Sequence, residues 1–446
     1  MNFAKLCAGL LGAAAAAAPL ALWSPAPANA QANEQFLPAL VYRTGAYAPN
    51  GIPFANGFVD YFNLINERDG GLNGVKLVVE ECETGYATDR GVECYERLKG
   101  KGPTGAAAIT PLSTGITFAL TEKAPVDKIP IITMGYGRSE SADGSVFPWN
   151  FPLLGTYWSQ ADILIQHVGK LSGGLDKLKG KKIALVYHDS PYGREPIPLL
   201  QKRAQLHGYE LLTIPVTHPG VEQKAAWLTI RQQRPNYVFL WGWGVMNSTS
   251  IKEAAAVNYP RNQMYGVWWS GAEPDVTPAG EGAKGYNAMA MHPAGSVYKV
   301  HQDLFKHLYD KGKGLAKRED VGEVLYNRGM LNAMLTVEAI LTGQKRYGNK
   351  PLTGEQVRWG LENLKLDAAR IKEIGFEGLV NPLNLSCNDH EGVQQARIFQ
   401  WDGKQWVFQT EWLQADMKVV RPMYAEAAKK YAAEKKITPR DCNKES

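Results

Sequence analysis

Residues 36–81 read FLPALVYRTGAYAPNGIPFANGFVDYFNLINERDGGLNGVKLVVEE. The run 36–42 is short, apolar and of strand character, and Arg43-Thr44-Gly45-Ala46-Tyr47-Ala48-Pro49-Asn50-Gly51 is rich in turn formers. Phe54, Phe58, Tyr61, Phe62 and Ile65 then recur at helical spacing to Asn66, and Asp69-Gly70-Gly71 stops the helix. Residues 75–81 are extended again. A strand, a crossover helix and a second strand make a parallel βα unit.

The same alternation continues outward from this unit. A helix is predicted over 89–99, a buried strand over 105–110, a helix over 113–123 and a strand over 129–134. The stretch 144–155 carries Pro148, Pro152 and aromatics without a period and reads as a crossing between domains. Strands over 182–187, 209–215, 237–242 and 264–268 then alternate with helices over 194–207, 222–233 and 248–257. The extended run 285–291, followed by Pro293, reads as a second crossing. Helices follow over 300–311, 326–342 and 352–363, the last opened by Thr353 as N-cap. Asp402-Gly403 turns a hairpin of 396–401 and 405–410, and 424–435 is a Lys-rich surface helix. The expected fold class is α/β, with two lobes, each a parallel sheet flanked by helices. The boundaries are 31–150 with 290–383 for lobe 1, 151–289 with 384–420 for lobe 2, and 421–446 for a helical tail.

The chain has 446 residues, 45% hydrophobic and 21% charged, which excludes a disordered chain and a polytopic membrane protein. Lys plus Arg is 49 against 44 Asp plus Glu, a net +5 spread along the chain, so nucleic acid is not an expected partner. Residues 1–30 have Lys5, an apolar Ala-rich run over 6–22 and Ala28-Asn29-Ala30, the pattern of a cleavable signal peptide. The mature chain keeps Cys82, Cys94, Cys387 and Cys442, an even number after export that predicts disulfides. Proximity favours Cys82 with Cys94 and Cys387 with Cys442, worth about 3 and 4 kcal/mol by loop entropy. No His or Cys pair has zinc-ligand spacing. There is no G-x-S-x-G, no G-x-x-x-x-G-K-[ST], no H-E-x-x-H and no G-x-G-x-x-G after a strand. The expectation is a protein that is not an enzyme and holds no cofactor or metal.

The strand ends carry the informative residues. Ser113 and Thr114 sit in Pro111-Leu112-Ser113-Thr114-Gly115-Ile116-Thr117, where hydroxyls and N–H groups at a helix start suit a carboxylate, although either residue alone also reads as a simple N-cap. Thr133-Met134-Gly135-Tyr136-Gly137-Arg138 follows the next strand of that lobe. In the second lobe Trp241-Gly242-Trp243-Gly244 and Trp268-Trp269-Ser270-Gly271 offer flat apolar walls at strand ends.

These features, in this order, resemble the periplasmic solute-binding proteins of ABC importers, in their leucine/isoleucine/valine-binding group. Local matches are Thr44-Gly45 with Gly57 and Asn66, Asp69-Gly70-Gly71-Leu72-Asn73-Gly74, Ile129-Pro130-Ile131-Ile132-Thr133, His188-Asp189-Ser190-Pro191-Tyr192-Gly193 and Phe399-Gln400-Trp401. The resemblance implies a type I periplasmic binding fold with three hinge crossings that closes like a flytrap on one small molecule. It also implies a periplasmic monomer that delivers its ligand to permease subunits in the inner membrane. By position, Ser113 and Thr114 match the loop that holds the ligand carboxylate. Gly135 and Gly137 match a strand end that offers backbone and hydroxyl contacts, and Asn50 a place near the ligand's apolar side chain. Trp243 matches an aromatic position, Trp268 and Trp269 the acid that pairs with the ligand ammonium, and Arg328 the segment that closes over the ligand.

Two departures shape the ligand expectation. The hydroxyl expected at Gly137 and the acid expected at Trp268 or Trp269 are absent, and an unpaired buried ammonium costs several kcal/mol. Tyr136 and the arginines Arg43, Arg138 and Arg328 stand in their place, and arginine clamps carboxylates bidentately. The expected ligand is therefore a small hydrophobic or aromatic carboxylate. The alternative is a branched-chain or aromatic amino acid, or an amide, with Glu273 supplying the acid; a periplasmic sensor or a secreted enzyme ranks below both.

Overall fold

The computed structural model describes residues 33–444, so the expected signal peptide lies outside the described residues. Strands β1 (Glu34–Val41) and β2 (Lys76–Glu83) pair in parallel along their full length. Between them runs α1 (Ala48–Asp69), so the turn-rich stretch hides the first helical turn. Pro49 is tolerated there because first-turn N–H groups have no intrahelical acceptor. Gly70, at φ 72°, ends the helix in the left-handed region. Helix α2 (Thr88–Leu98) follows β2, and α3 (Thr114–Leu120) is capped by Ser113, whose hydroxyl accepts from Ile116 N at 3.4 Å. The strand expected at 105–110 is reduced to bridges from Thr110 to Ala39 and from Ile109 to Ile131. The chain leaves the extended conformation at once on either side of it, with Gly105 at φ 76° and Leu112 at φ 49°. These bridges join β1 to β3 (Ile131–Met134), which pairs in parallel with β4 (Asn150–Leu153). The stretch 144–155 is thus not all crossing: β4 still belongs to the first sheet, and the chain crosses after it.

The second lobe is one sheet of eight strands. Parallel strands β5 (Lys182–His188), β6 (Glu210–Val216), β7 (Tyr237–Trp241), β8 (Met264–Gly266) and β9 (Asn287–Ala290) lie in the order β9-β8-β7-β5-β6. The chain then returns to the first lobe. There the helix Val324–Tyr347 packs along α1, and β10 (Lys365–Leu366) pairs with β11 (Leu383–Asn384). The two helices touch backbone to backbone at two glycines. A Cβ on Gly57 would lie 2.0 Å from the Tyr326 carbonyl oxygen, and one on Gly329 would lie 2.0 Å from that of Phe54. After the third crossing, β12 (Gln395–Trp401) adds antiparallel to β9, and β13 (Trp406–Phe408) and β14 (Leu413–Gln414) pair with β12.

The crossings lie side by side. Leu154 N donates to the Glu391 carbonyl at 3.1 Å, Thr156 N donates to the Glu391 carboxylate at 2.8 Å, and Met291 packs against Gly155. The tail forms a longer helix than expected, Met417–Lys435, and its inner face is buried rather than lying free on the surface. Tyr424 stacks on Trp158 and reaches Glu391, while Tyr431 packs at a tilt on Phe147 of the first lobe. Cys82 is bonded to Cys94, tying β2 to α2, and Cys387 to Cys442, tying the third crossing to the C-terminal segment. Among the described residues no helix is long and apolar enough to cross a membrane.

Candidate functional site

The carboxyl ends of the strands of both lobes face each other across a small cavity. The first lobe contributes Tyr42 after β1, Tyr86 after β2, Leu112, Ser113 and Thr114 at the start of α3, and Tyr136 after β3. The second contributes Tyr157, Tyr192 after β5, Trp243 after β7 and Trp269 after β8. Seven of the ten lining residues are aromatic, and none is Lys, Arg, Asp or Glu. Trp269 is the shared wall: Trp243 meets it edge-on at 5.3 Å and Tyr136 at 5.6 Å. Little free space is left between the closed lobes here, so only a small molecule can be enclosed.

The lining offers hydrogen-bond donors and little negative charge. The indole N–H of Trp269 is buried without a protein partner among the described residues, and the Trp243 indole N–H and Tyr42 hydroxyl have only each other within reach. The Tyr136 hydroxyl accepts from Leu112 N at 2.7 Å and keeps its own proton to donate. Burial raises the pKa of Tyr42, Tyr86, Tyr136, Tyr157 and Tyr192, so all five stay neutral phenols. Two lining residues hold strained backbone: Tyr86 at φ 64° and Leu112 at φ 49°, each a cost of about 1–3 kcal/mol of the kind that persists at ligand clamps.

Behind Trp269 lies a buried polar layer that joins the lobes. Arg328, on the helix Val324–Tyr347, places its guanidinium 4.0 Å over Trp268 and 4.7 Å over Trp269 and donates to the Trp268 carbonyl at 2.7 Å. Burial pulls it down to about 9, so it remains charged at neutral pH. Asp275 is fully buried and accepts from Asn50 at 3.0 Å, Asn247 at 2.9 Å and Ala272 N at 2.9 Å. Burial pushes its carboxyl up to about 6, and the three donors oppose that rise. Other bonds cross between the lobes: Tyr47 with His188 at 2.7 Å, Gln160 to the Gly135 carbonyl at 2.8 Å, Val324 N to Glu273 at 3.0 Å and Ser139 to Glu195 at 2.7 Å. The lobes are therefore closed on each other.

Of the residues singled out in the sequence, Ser113, Thr114, Tyr136, Trp243 and Trp269 line the cavity. Trp268, Arg328 and Asn50 lie one layer behind, and Gly135 is engaged through its carbonyl by Gln160. Arg43 is a correction: its guanidinium is forked onto Glu81 at 2.7 and 2.6 Å and bonded to Asn56, facing away from the cavity. Gly137 packs on the Thr117 side chain and Arg138 on Tyr431, also outside it. Glu273 spends its carboxylate on Val324 N and does not line the cavity. Sequence reasoning missed Tyr42, Tyr86, Leu112, Tyr157 and Tyr192 as lining, and Asp275 as the acid behind it. Tyr42, Tyr86 and Tyr192 each follow a parallel strand, and that position was the signal available for them.

Two sheet-based lobes, three adjacent crossings and one cavity closed between them define a hinged solute receptor. The family model described as Periplasmic binding protein matches residues 34–405, and the chain belongs to that family as a solute-binding protein of an ABC transporter. No curated protein matches the chain. A solved structure described as an ABC transporter permease, from the Pseudomonas fluorescens group, is 47% identical with TM-score 0.85, covering 92% of this chain and 99% of that one. A branched-chain amino acid ABC transporter protein from Thermus thermophilus with bound valine is 20% identical, with TM-score 0.72 over 88% of this chain and 99% of that one. A solute-binding protein from R. palustris in complex with benzoate is 17% identical, with TM-score 0.65 over 84% of this chain and 95% of that one.

Proposed function

We propose that this receptor takes one small aromatic carboxylate into the inner cavity and delivers it to the permease subunits of its transporter as a periplasmic monomer freed of residues 1–30. The observation that carries this reading is the lining: aromatic rings from both lobes, hydroxyl and indole donors, and no acidic side chain. A ring packs among Tyr42, Tyr136, Trp243 and Trp269 with offset and edge contacts as the lobes close on it. The carboxylate is met by neutral donors on the side away from Ser113, namely Tyr42 and the indole N–H groups, with Arg328 one ring away as the source of positive potential. That replaces the arginine clamp expected from the sequence. A zwitterionic amino acid fits less well, because Asp275, the nearest deeply buried acid, has its oxygens engaged by Asn50, Asn247 and Ala272 N. The fold likeness to a benzoate-bound receptor agrees with the reading without deciding it, since a valine-bound receptor shares the fold.

Calorimetry on the refolded mature protein tests the reading with benzoate, phenylacetate, leucine and phenylalanine. Binding of an aromatic acid at one-to-one stoichiometry with leucine silent is the expected result. Binding of leucine with the aromatic acids silent would refute it and direct attention to Asp275.

A further inference from the structure

A second hollow, roomier than the inner cavity and open to solvent, adjoins it between the lobes. Tyr86, Ser113 and Tyr192 line both spaces and so form the partition between them. The outer hollow reaches the surface at Thr88 and His218, which are exposed. It is part of the closed form, because the bond from Tyr47 of the first lobe to His188 of the second runs along its wall. His188 and His218 stack at 5.1 Å and 16°, and Ser190 bonds the other nitrogen of His188 at 2.7 Å. No Lys, Arg, Asp or Glu lines it. Burial, and then His218, push His188 down to about 4, so its ring is neutral. Three residues with hydroxyl-bearing side chains are shared by the two spaces, and Tyr86 is held there at φ 64°.

We infer that the outer hollow is a second ligand subsite, which receives the uncharged tail of an elongated solute whose aromatic head fills the inner cavity. Tyr86, Ser113 and Tyr192 surround the junction of head and tail, with the Tyr192 hydroxyl held by the Gly242 carbonyl at 2.8 Å. The inference rests on the reading that the inner cavity binds a small solute, and extends it to a class: aromatic compounds carrying a neutral alkyl or aryl extension. Flat imidazole faces and the hydroxyls of Thr88 and Ser190 suit an apolar chain with hydrogen-bond acceptors. A charged tail would be stranded there without a counter-charge.

The test is a set of matched short and long probes, titrated calorimetrically into the mature protein and its Thr88→Trp variant. The pairs are benzoate with 4-butoxybenzoate, benzamide with N-butylbenzamide, and leucine with N-butyl leucinamide. Thr88 lines the outer hollow alone, so the variant fills that space and leaves the inner lining intact. In the benzoate or the benzamide pair the long member is expected to bind as tightly as the short one or better, and Thr88→Trp to weaken the long member tenfold or more while changing the short one less than twofold; such behaviour in the leucine pair alone would overturn the aromatic head. Short members binding with every long member excluded would overturn the second subsite and leave the small-solute reading standing. Equal weakening of both members by Thr88→Trp would also overturn it, and silence from all six probes would overturn both readings.

Discussion

Glu391 should dominate the pH dependence of stability at the hinge. It is 1% exposed, lies where the third crossing meets the first, and accepts from Thr156 N at 2.8 Å, Ser159 Oγ at 2.5 Å and Tyr424 Oη at 3.1 Å. The charge that bears on it is that of Asp389, two residues before it, while Arg421 is engaged by Asp389 at 2.7 Å. Burial, opposed by the Ser159 bond and aided by Asp389, pushes its carboxyl from 4.5 up to about 7. A displacement of that size is worth about 3 kcal/mol, at 1.36 kcal/mol per pH unit. The folded protein then binds this proton more tightly than the unfolded chain does. Stability therefore falls as pH rises from the ordinary glutamate range to about 7, and the loss is complete above that. Glu391→Gln keeps the shape of the protonated acid and cannot ionise. Urea unfolding at pH 5, 6, 7 and 8 should show the variant equal to wild type at pH 5 and more stable by about 2–3 kcal/mol at pH 8. Parallel pH curves for the two proteins would refute the reasoning, because they would mean that Glu391 is already ionised at pH 5 and held by its donors.

Trp269→Ala removes the wall shared by the cavity and Arg328, and should weaken solute binding by more than about 2 kcal/mol, some thirtyfold, by calorimetry. Asn50→Ala takes one of three donors from Asp275 across the lobe interface and should weaken binding about tenfold, through closure, with little change in urea midpoint without solute. An unchanged affinity would show that the bond does not survive in the bound form. Gly57→Ala drives a methyl group into the Tyr326 carbonyl and should destabilise the first lobe by more than about 3 kcal/mol, seen as a lowered thermal midpoint. Replacing both Cys387 and Cys442 by Ser opens a loop with a sequence separation of 55 and should lose about 4 kcal/mol, measured against wild type under oxidising conditions.

The fold was legible because its signals are local. Apolar strands ending in turn residues and helices with apolar faces recur through both lobes, and Thr353 and Gly70 cap as their residue types require. What failed locally did so for identifiable reasons. Pro49 looked like a turn although it is ordinary in a first helical turn, and the short β4 was concealed by Pro152, which sits on its outer edge pairing with Thr133. The cavity was half legible. Ser113, Tyr136, Trp243 and Trp269 stand at strand ends, where ligands of open α/β sheets bind. Arg43 stands at such an end too, yet its guanidinium is claimed by Glu81, a partner that only the pairing of β1 with β2 brings alongside. A charged residue at a strand end therefore says little until its neighbours in the sheet are known, whereas an aromatic there has no counter-ion to turn it away.

The same logic bears on why the lobes close. Closure buries Asn50, Asp275, Arg328 and Trp268 together; Asp275 is fully engaged, whereas Asn50 Oδ1, Arg328 Nη2 and the Trp268 indole N–H keep no protein partner among the described residues. The cavity likewise keeps unmatched donors: the Trp269 indole N–H has no protein acceptor among the described residues, and the Trp243 indole and Tyr42 hydroxyl have only each other. Each buried unmatched donor costs about 1–3 kcal/mol, a penalty that falls on the closed form, because in an opened cleft water reaches these groups. A solute that places acceptor oxygens among them removes the penalty and adds ring contacts, so its differential affinity for the closed form is built into the lining. The interlobe bonds set the geometry of closure, and the unmatched donors make it conditional on solute. A solute without acceptors, such as toluene, should therefore fill the aromatic space yet fail to close the lobes. Small-angle scattering with toluene and with benzoate would check this: compaction by benzoate alone is the expected outcome, and equal compaction by both would show that ring contacts suffice.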